Sequence, residues 1–209
     1  HPMLENLLAL FVTAVVLALV PGPDNLFVLT HSALHGRMTG WYATLGFCTG
    51  LIVHTAAVSL GVAALFQTSE VAFNLLKLVG AAYLFYLAWR FIQRSNSRLP
   101  LQDQPILTPW LIYRRGIIMN VTNPKVSLFF LALLPQFILP DAGPVVLQMI
   151  SFGIVFIVAT LLVFGAIAEL AGVISPWLKQ SDSAQRNMHR VAAVIFCILA
   201  MKLLLAEQF

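Results

Sequence analysis

The sequence predicts an all-α integral membrane protein of six transmembrane helices, arranged as a 3+3 inverted repeat in which the first and fourth helices are broken. Three observations carry this prediction. The 209 residues are 60% apolar and only 10% charged, with a mean hydropathy of +0.90. An ordinary soluble domain is about 45–50% apolar and about 25% charged, so a globule of this size could not bury so much hydrocarbon and keep a wettable surface. The apolar residues are gathered into six runs, and two of those runs are interrupted in the same manner. Soluble enzymes, DNA-binding domains and disordered proteins are excluded on composition.

A transmembrane helix needs about 20 largely apolar residues. The runs that meet this are Leu4–Leu34, Trp41–Phe66, Ala72–Ile92, Ile117–Leu139, Val145–Val173 and Val191–Ala206. No ten-residue stretch alternates with period two, which argues against a β-barrel. Orientation follows the basic residues. The gaps after runs one, three and five, with the end of run three, hold Arg37, then Arg90, Arg94, Arg98, Arg114 and Arg115, then Lys179, Arg186 and Arg190, while the N-terminal end and the other two gaps carry Glu5, Glu70 and Asp141. Both termini are therefore expected to face away from the cytoplasm. The whole chain, 1–209, reads as one transporter domain: repeat one over about 3–92, a cytoplasmic loop over 93–115, and repeat two over about 116–206.

Run one is interrupted by Pro21-Gly22-Pro23-Asp24-Asn25 and run four by Asn120-Val121-Thr122-Asn123-Pro124-Lys125. An offset of 101 places Pro23-Asp24 on Pro124-Lys125, and an offset of 112 places Lys77, Ala81, Ala88 and Arg90 on His189, Ala193, Ala200 and Lys202. Three spans per half is an odd number, so the halves have opposite topology, and paired Gly/Pro breaks are what an inverted-repeat transporter shows near its binding site.

The breaks concentrate the chemistry. Proline removes a backbone donor and disrupts the preceding turn, and in hydrocarbon the freed groups must be satisfied by protein, ligand or trapped water. Pro21, Gly22, Pro23 and Pro124 are thus the expected helix breaks. Asp24 and Lys125 lie ten and eight residues from the cytoplasmic ends of their runs. At 1.5 Å per residue both are about 12–15 Å deep, close to the midplane. A lone charge there costs about 2.5–3.5 kcal/mol, so opposite charges at matched depth invite pairing. Desolvated pairs are poor sources of stability, which favours a role in binding a substrate's carboxylate and ammonium groups.

Asn25, Thr30, Asn120, Thr122 and Asn123 add neutral donors and acceptors that can receive an amine or cap freed backbone groups. Glu169, the other acid inside a run, reads as either a proton carrier or a snorkelled interfacial carboxylate. His31 and His35 have a metal-compatible i, i+4 spacing with no third ligand nearby, His54 reads as a packing histidine, and Gly46-x-x-x-Gly50 fits close helix approach. Cys48 and Cys197 lie in separate runs with no C-x-x-C, which leaves a disulfide or iron–sulfur centre unsupported.

Pro21-Gly22-Pro23-Asp24, the Gly36 and Gly46/Gly50 stretch, Leu76–Leu84, Arg115-Gly116, Asn120, Asn123-Pro124-Lys125 and Pro135-Gln136-Phe137 occur in an order and spacing that resembles the lysine-exporter superfamily, specifically its homoserine/threonine resistance (LysE/RhtB) branch. The resemblance runs over essentially the whole chain and is looser after Phe137. It implies a bacterial inner-membrane exporter of amino acids driven by an ion gradient, without catalytic residues, metal, cofactor or nucleic-acid partner. Protons are the expected counter-ion, with Asp24 ahead of Glu169 as the proton site. Neutral substrates such as homoserine, threonine or leucine are favoured over lysine, because a second cation would call for a further intramembrane acid. Small-residue faces are compatible with a homodimer without requiring one. The competing classes are an intramembrane redox carrier and a metal-ion exporter of the same superfamily.

Overall fold

The computed structural model describes residues 2–61, 68–95 and 105–207. Among them every regular element is helical: α1 (Pro2–Leu19), α2 (Pro23–His35), α3 (Arg37–Ser59), α4 (Glu70–Arg94), α5 (Pro109–Val121), α6 (Pro124–Leu128), α7 (Val145–Gln180) and α8 (Asp182–Leu204). Five helices are long and apolar enough to cross a membrane, and α5 with the helical segment after it makes a sixth, bent by 46° at the break. The expected end of the second span at Phe66 and the middle of the 93–115 loop lie outside the described residues.

Several boundaries differ from those read in the sequence. The first span is two helices in which α1 alone has 18 residues, about 27 Å at 1.5 Å per residue. Its break, at 20–22, lies just past the middle of the run. The fifth span does not end at Val173 but continues to Gln180 through Pro176, because a 36-residue helix of about 54 Å exceeds the hydrocarbon thickness and its last turns need no apolar character. The sixth starts at Asp182, nine residues before the apolar run, with Ser181 Oγ capping the Ala184 amide and so satisfying an otherwise orphan donor.

After α6 the fourth span does not resume a regular helix. Phe129–Leu133 is π-helical, with the Leu134 amide bonded to the Phe129 carbonyl, and Leu134–Phe137 forms a 3₁₀ turn around Pro135. Pro135 cannot donate to Leu131, and a widened turn at that point redistributes the remaining bonds. Phe129 and Phe130 are driven inward by it, 5.1 and 5.4 Å from the Phe156 ring, in the main apolar core with Leu10, Ala14 and Leu134.

The principal helix contacts are α3 with α5, α7 with α1 and α2, α3 with α7, and α4 with α8. Exchanging spans one with four, two with five and three with six leaves this set of partners unchanged. Between α3 and α5 the backbones touch. A Cβ on Gly116 would lie 2.5 Å from the Ala43 carbonyl oxygen, and one on Gly46 would lie 2.3 Å from that of Tyr113. At α2–α3 the chain turns at Gly36, whose φ of 95° is one that other residues rarely adopt.

These contacts give a direct stability prediction. Gly116→Val should lower the thermal midpoint in detergent by the equivalent of about 1–3 kcal/mol or more, since the obstructing atom is backbone and cannot rotate away. Gly172→Ala, with nothing within 4 Å of its added methyl, should be neutral or raise the midpoint. An unchanged midpoint for the valine variant would mean that the two helices do not sit this close.

Candidate functional site

The first span stops at Val20, whose amide makes the last α-helical bond, to Val16 at 3.1 Å. Pro21 and Pro23 bring no N–H, Gly22 is extended, and α2 restarts with Pro23 in its first turn. Asp24 follows directly, where the helix dipole favours an anion. The fourth span stops at Thr122 and restarts at Pro124, with the Asn123 side chain accepting from the Lys125 amide at 3.0 Å.

The two restarts meet. Lys125 Nζ lies 3.4 Å from Asp24 Oδ2 and donates to the Val20 carbonyl at 3.3 Å, taking up an oxygen exposed by the opposite break. Asn123 Nδ2 donates to the same Asp24 oxygen at 3.5 Å, and the Asn25 amide donates to Oδ1 at 3.0 Å. Asp24 and Lys125 are both under a tenth exposed, so each charge depends on the other in place of water. Gly22 is the residue that lets the chain pass: a Cβ there would lie 2.9 Å from Asp24 Oδ1.

A small cavity of about 10 Å³ adjoins the pair, lined by Leu17, Asp24, Phe47, Asn120, Lys125 and Phe156 among others. That volume holds about one water molecule.

The neutral residues at the breaks divide by what they bond. Asn25 Nδ2 donates to the Ala18 carbonyl at 2.8 Å, Thr122 Oγ1 donates back to Ile118, and Asn123 caps α6, all of them backbone-satisfying roles. Asn120 differs. It is buried and borders the cavity, and its Oδ1, like that of Asn25, has no partner.

Glu169 is elsewhere. It is partly exposed, accepts from the Trp41 indole at 2.9 Å and pairs with Arg37 at 3.3 Å, and it does not line the cavity. This ties α7 to the start of α3 at an end where water screens the pair. His31 and His35 have ring centroids 5.9 Å apart, but among the described residues no group of three His, Cys, Asp or Glu side chains could hold a metal ion. Cys48 and Cys197 are free thiols.

Sequence reasoning did not identify the apolar lining, since Leu17, Phe47 and Phe156 look like any other membrane-helix residue. It also took His54 for packing. In the structure His54 Nε2 lies 3.1 Å from the Asn120 carbonyl; its spacing of four from Gly50 and eight from Gly46 was the available signal.

The sequence that builds these two breaks has counterparts among known proteins. The family model of the LysE type translocators matches residues 15–207. The chain belongs to this family. A homoserine/homoserine lactone efflux protein of Salmonella typhi is 35% identical over 174 residues, 82% of each chain. An uncharacterized membrane protein of Vibrio cholerae is 31% identical over 205 residues, 96% of this chain and 97% of the relative. A leucine efflux protein of Enterobacter is 39% identical over 131 residues, 61% of each chain. No solved structure matches. As a LysE type translocator the protein is a multi-pass membrane transporter, not an enzyme.

Proposed function

We propose that this LysE type translocator is a secondary active exporter of neutral amino acids, working by alternating access across the bacterial inner membrane with its termini on the periplasmic side. The buried Asp24–Lys125 pair at the meeting of two broken spans carries this reading. A zwitterion has the charges to replace each partner of the pair: its carboxylate faces Lys125 and its ammonium group faces Asp24, so the site stays neutral whether empty or loaded. Asn120 Oδ1 adds an acceptor for the amine, and Leu17, Phe47 and Phe156 receive an uncharged side chain. Among the described residues lining the cavity, a cationic side chain would find no second acid beside the pair. The names of the relatives, homoserine and leucine efflux proteins, agree with a neutral substrate.

The cavity admits about one water, so an amino acid enters only when the elements around it part. The partner pattern of the helices supports two inverted repeats, about 3–92 and 116–206. Protons are the counter-ion of this scheme, with Asp24 as the proton site: a substrate ammonium leaving Asp24 exposes a carboxylate that a proton can neutralise. One charge moving through 100 mV supplies about 2.3 kcal/mol, which sustains a gradient of roughly fifty-fold at about 1.4 kcal/mol per tenfold.

The test is efflux of a labelled panel (homoserine, threonine, leucine, lysine, glutamate) from loaded vesicles, with and without a proton gradient. The neutral amino acids should leave fastest, and a protonophore should slow them toward the rate of empty-vector vesicles. Efflux confined to lysine would overturn the neutral-substrate reading, and efflux indifferent to the protonophore would overturn proton coupling.

A further inference from the structure

The break in the fourth span is held by a residue of another helix. In an unbroken helix the amide of residue 124 would donate to the Asn120 carbonyl, four residues back. Pro124 has no N–H, and the backbone offers only off-register donors, from Thr122 and from Asn123 at 3.2 Å. His54 on α3 approaches the same carbonyl with Nε2 at 3.1 Å. A carbonyl can only accept, so this nitrogen carries the hydrogen. The imidazole is fixed on its other side by the Phe130 ring, stacked at 5.3 Å and 29°.

The face of α3 that brings His54 there is built for the purpose. Gly46, Gly50 and His54 recur every four residues and so lie in one row. Gly46 admits the Gly116 backbone. Gly50 admits the Asn120 side chain, where a Cβ would come 2.5 Å from Oδ1. His54 then takes the carbonyl of the same asparagine. Asn120 is thus held from α3 at both its side chain and its main chain, and this residue, its Oδ1 unpartnered, lines the cavity beside Asp24 and Lys125.

We propose that His54 is a positioning residue for transport: it supplies from α3 the donor that Pro124 removes, and so fixes where Asn120 presents its amide to the substrate. The substrate-facing half of this statement rests on the pocket proposed above; the donor half does not. His54 itself touches no substrate.

The experiment combines His54→Phe, which keeps the ring stack without a donor, and His54→Gln, which keeps an N–H, with Pro124→Ala, which returns an amide to position 124. Thermal midpoints are measured in detergent for the single variants and for His54→Phe/Pro124→Ala. His54→Phe should lower the midpoint clearly in the natural background and by less than half as much beside Pro124→Ala, because the carbonyl then has its own helical donor. If His54→Phe yields no folded protein, recovery of folded protein in the double variant supports the same conclusion. An equal drop in both backgrounds, or no folded protein in either, overturns it.

The second readout is leucine and homoserine efflux against internal concentration. His54→Phe should raise the half-saturating concentration about tenfold, the worth of one hydrogen bond, with a smaller change in maximal rate, while His54→Gln stays close to the natural protein. An unchanged half-saturating concentration in His54→Phe overturns the positioning role. Should Asp24→Asn export normally while the midpoints still show coupling between His54 and Pro124, the pocket is misplaced but the donor assignment stands, so the two failures are separable.

Discussion

Asp24→Asn is expected to abolish efflux while the protein still reaches the membrane. The substitution is nearly isosteric and removes only the charge. In the proposed scheme it takes from the site both the counter-charge for a substrate ammonium group and the proton carrier of the exchange. Losing an interaction of about 3 kcal/mol corresponds to about a hundred-fold in rate or affinity, which in a vesicle assay is indistinguishable from background. Stability should fall too, by about 3–5 kcal/mol, because Lys125 is left buried without its partner. Efflux of leucine and homoserine at natural rates from the Asp24→Asn variant would remove Asp24 from the mechanism.

Lys125→Ala should be equally inactive, and the comparison with double variants separates binding from architecture. Lys125→Ala strands the Asp24 carboxylate in an apolar site and frees the Val20 carbonyl that Nζ now satisfies. Asp24→Asn/Lys125→Met has neither charge to strand, so its thermal midpoint should recover most of what each single variant loses. The charge-swapped pair, Asp24→Lys/Lys125→Asp, should likewise insert and fold better than either single reversal. Neither double variant should transport, since a substrate needs its ammonium and carboxylate met at defined places and the dipole of α2 favours an anion at its start. If the neutral double variant exports as well as the natural chain, the pair only docks the two halves of the molecule.

Much of this was legible in the sequence because the membrane imposes simple rules. Twenty apolar residues make a span, and Pro21-Gly22-Pro23 and Asn123-Pro124 cannot continue one, so the helical class and both breaks followed from composition and proline chemistry. Matched depth along the two runs also predicts that Asp24 lies near Lys125. What sequence reasoning did not reach depends on which face of a helix turns inward. Phe47 and Phe156 border the cavity, whereas the equally apolar Val53 and Ile154 are about half exposed; hydropathy alone cannot distinguish them. The same holds for Glu169, whose position within an apolar run left proton carrier and surface carboxylate as alternatives, and whose partners Arg37 and Trp41 come from a helix more than 125 residues away in sequence. The widened turn at Phe129–Leu133 was hidden because Pro135 acts on the residues preceding it, deep in an unremarkable stretch of leucine and phenylalanine.

The glycine row of α3 has a mechanical corollary. With no side chain between Gly46 and Gly116, the second span and the part of the fourth that precedes its break are seated too tightly to slide, so they travel as one strut although they come from different halves of the chain. The fifth span, packed along both pieces of the first, forms its counterpart. Any rocking that opens the pocket then divides the molecule between these composite struts, parting Asp24 on one from the Asn120 end of the other, and the seam of motion cuts across the gene-order halves instead of following the loop that joins them.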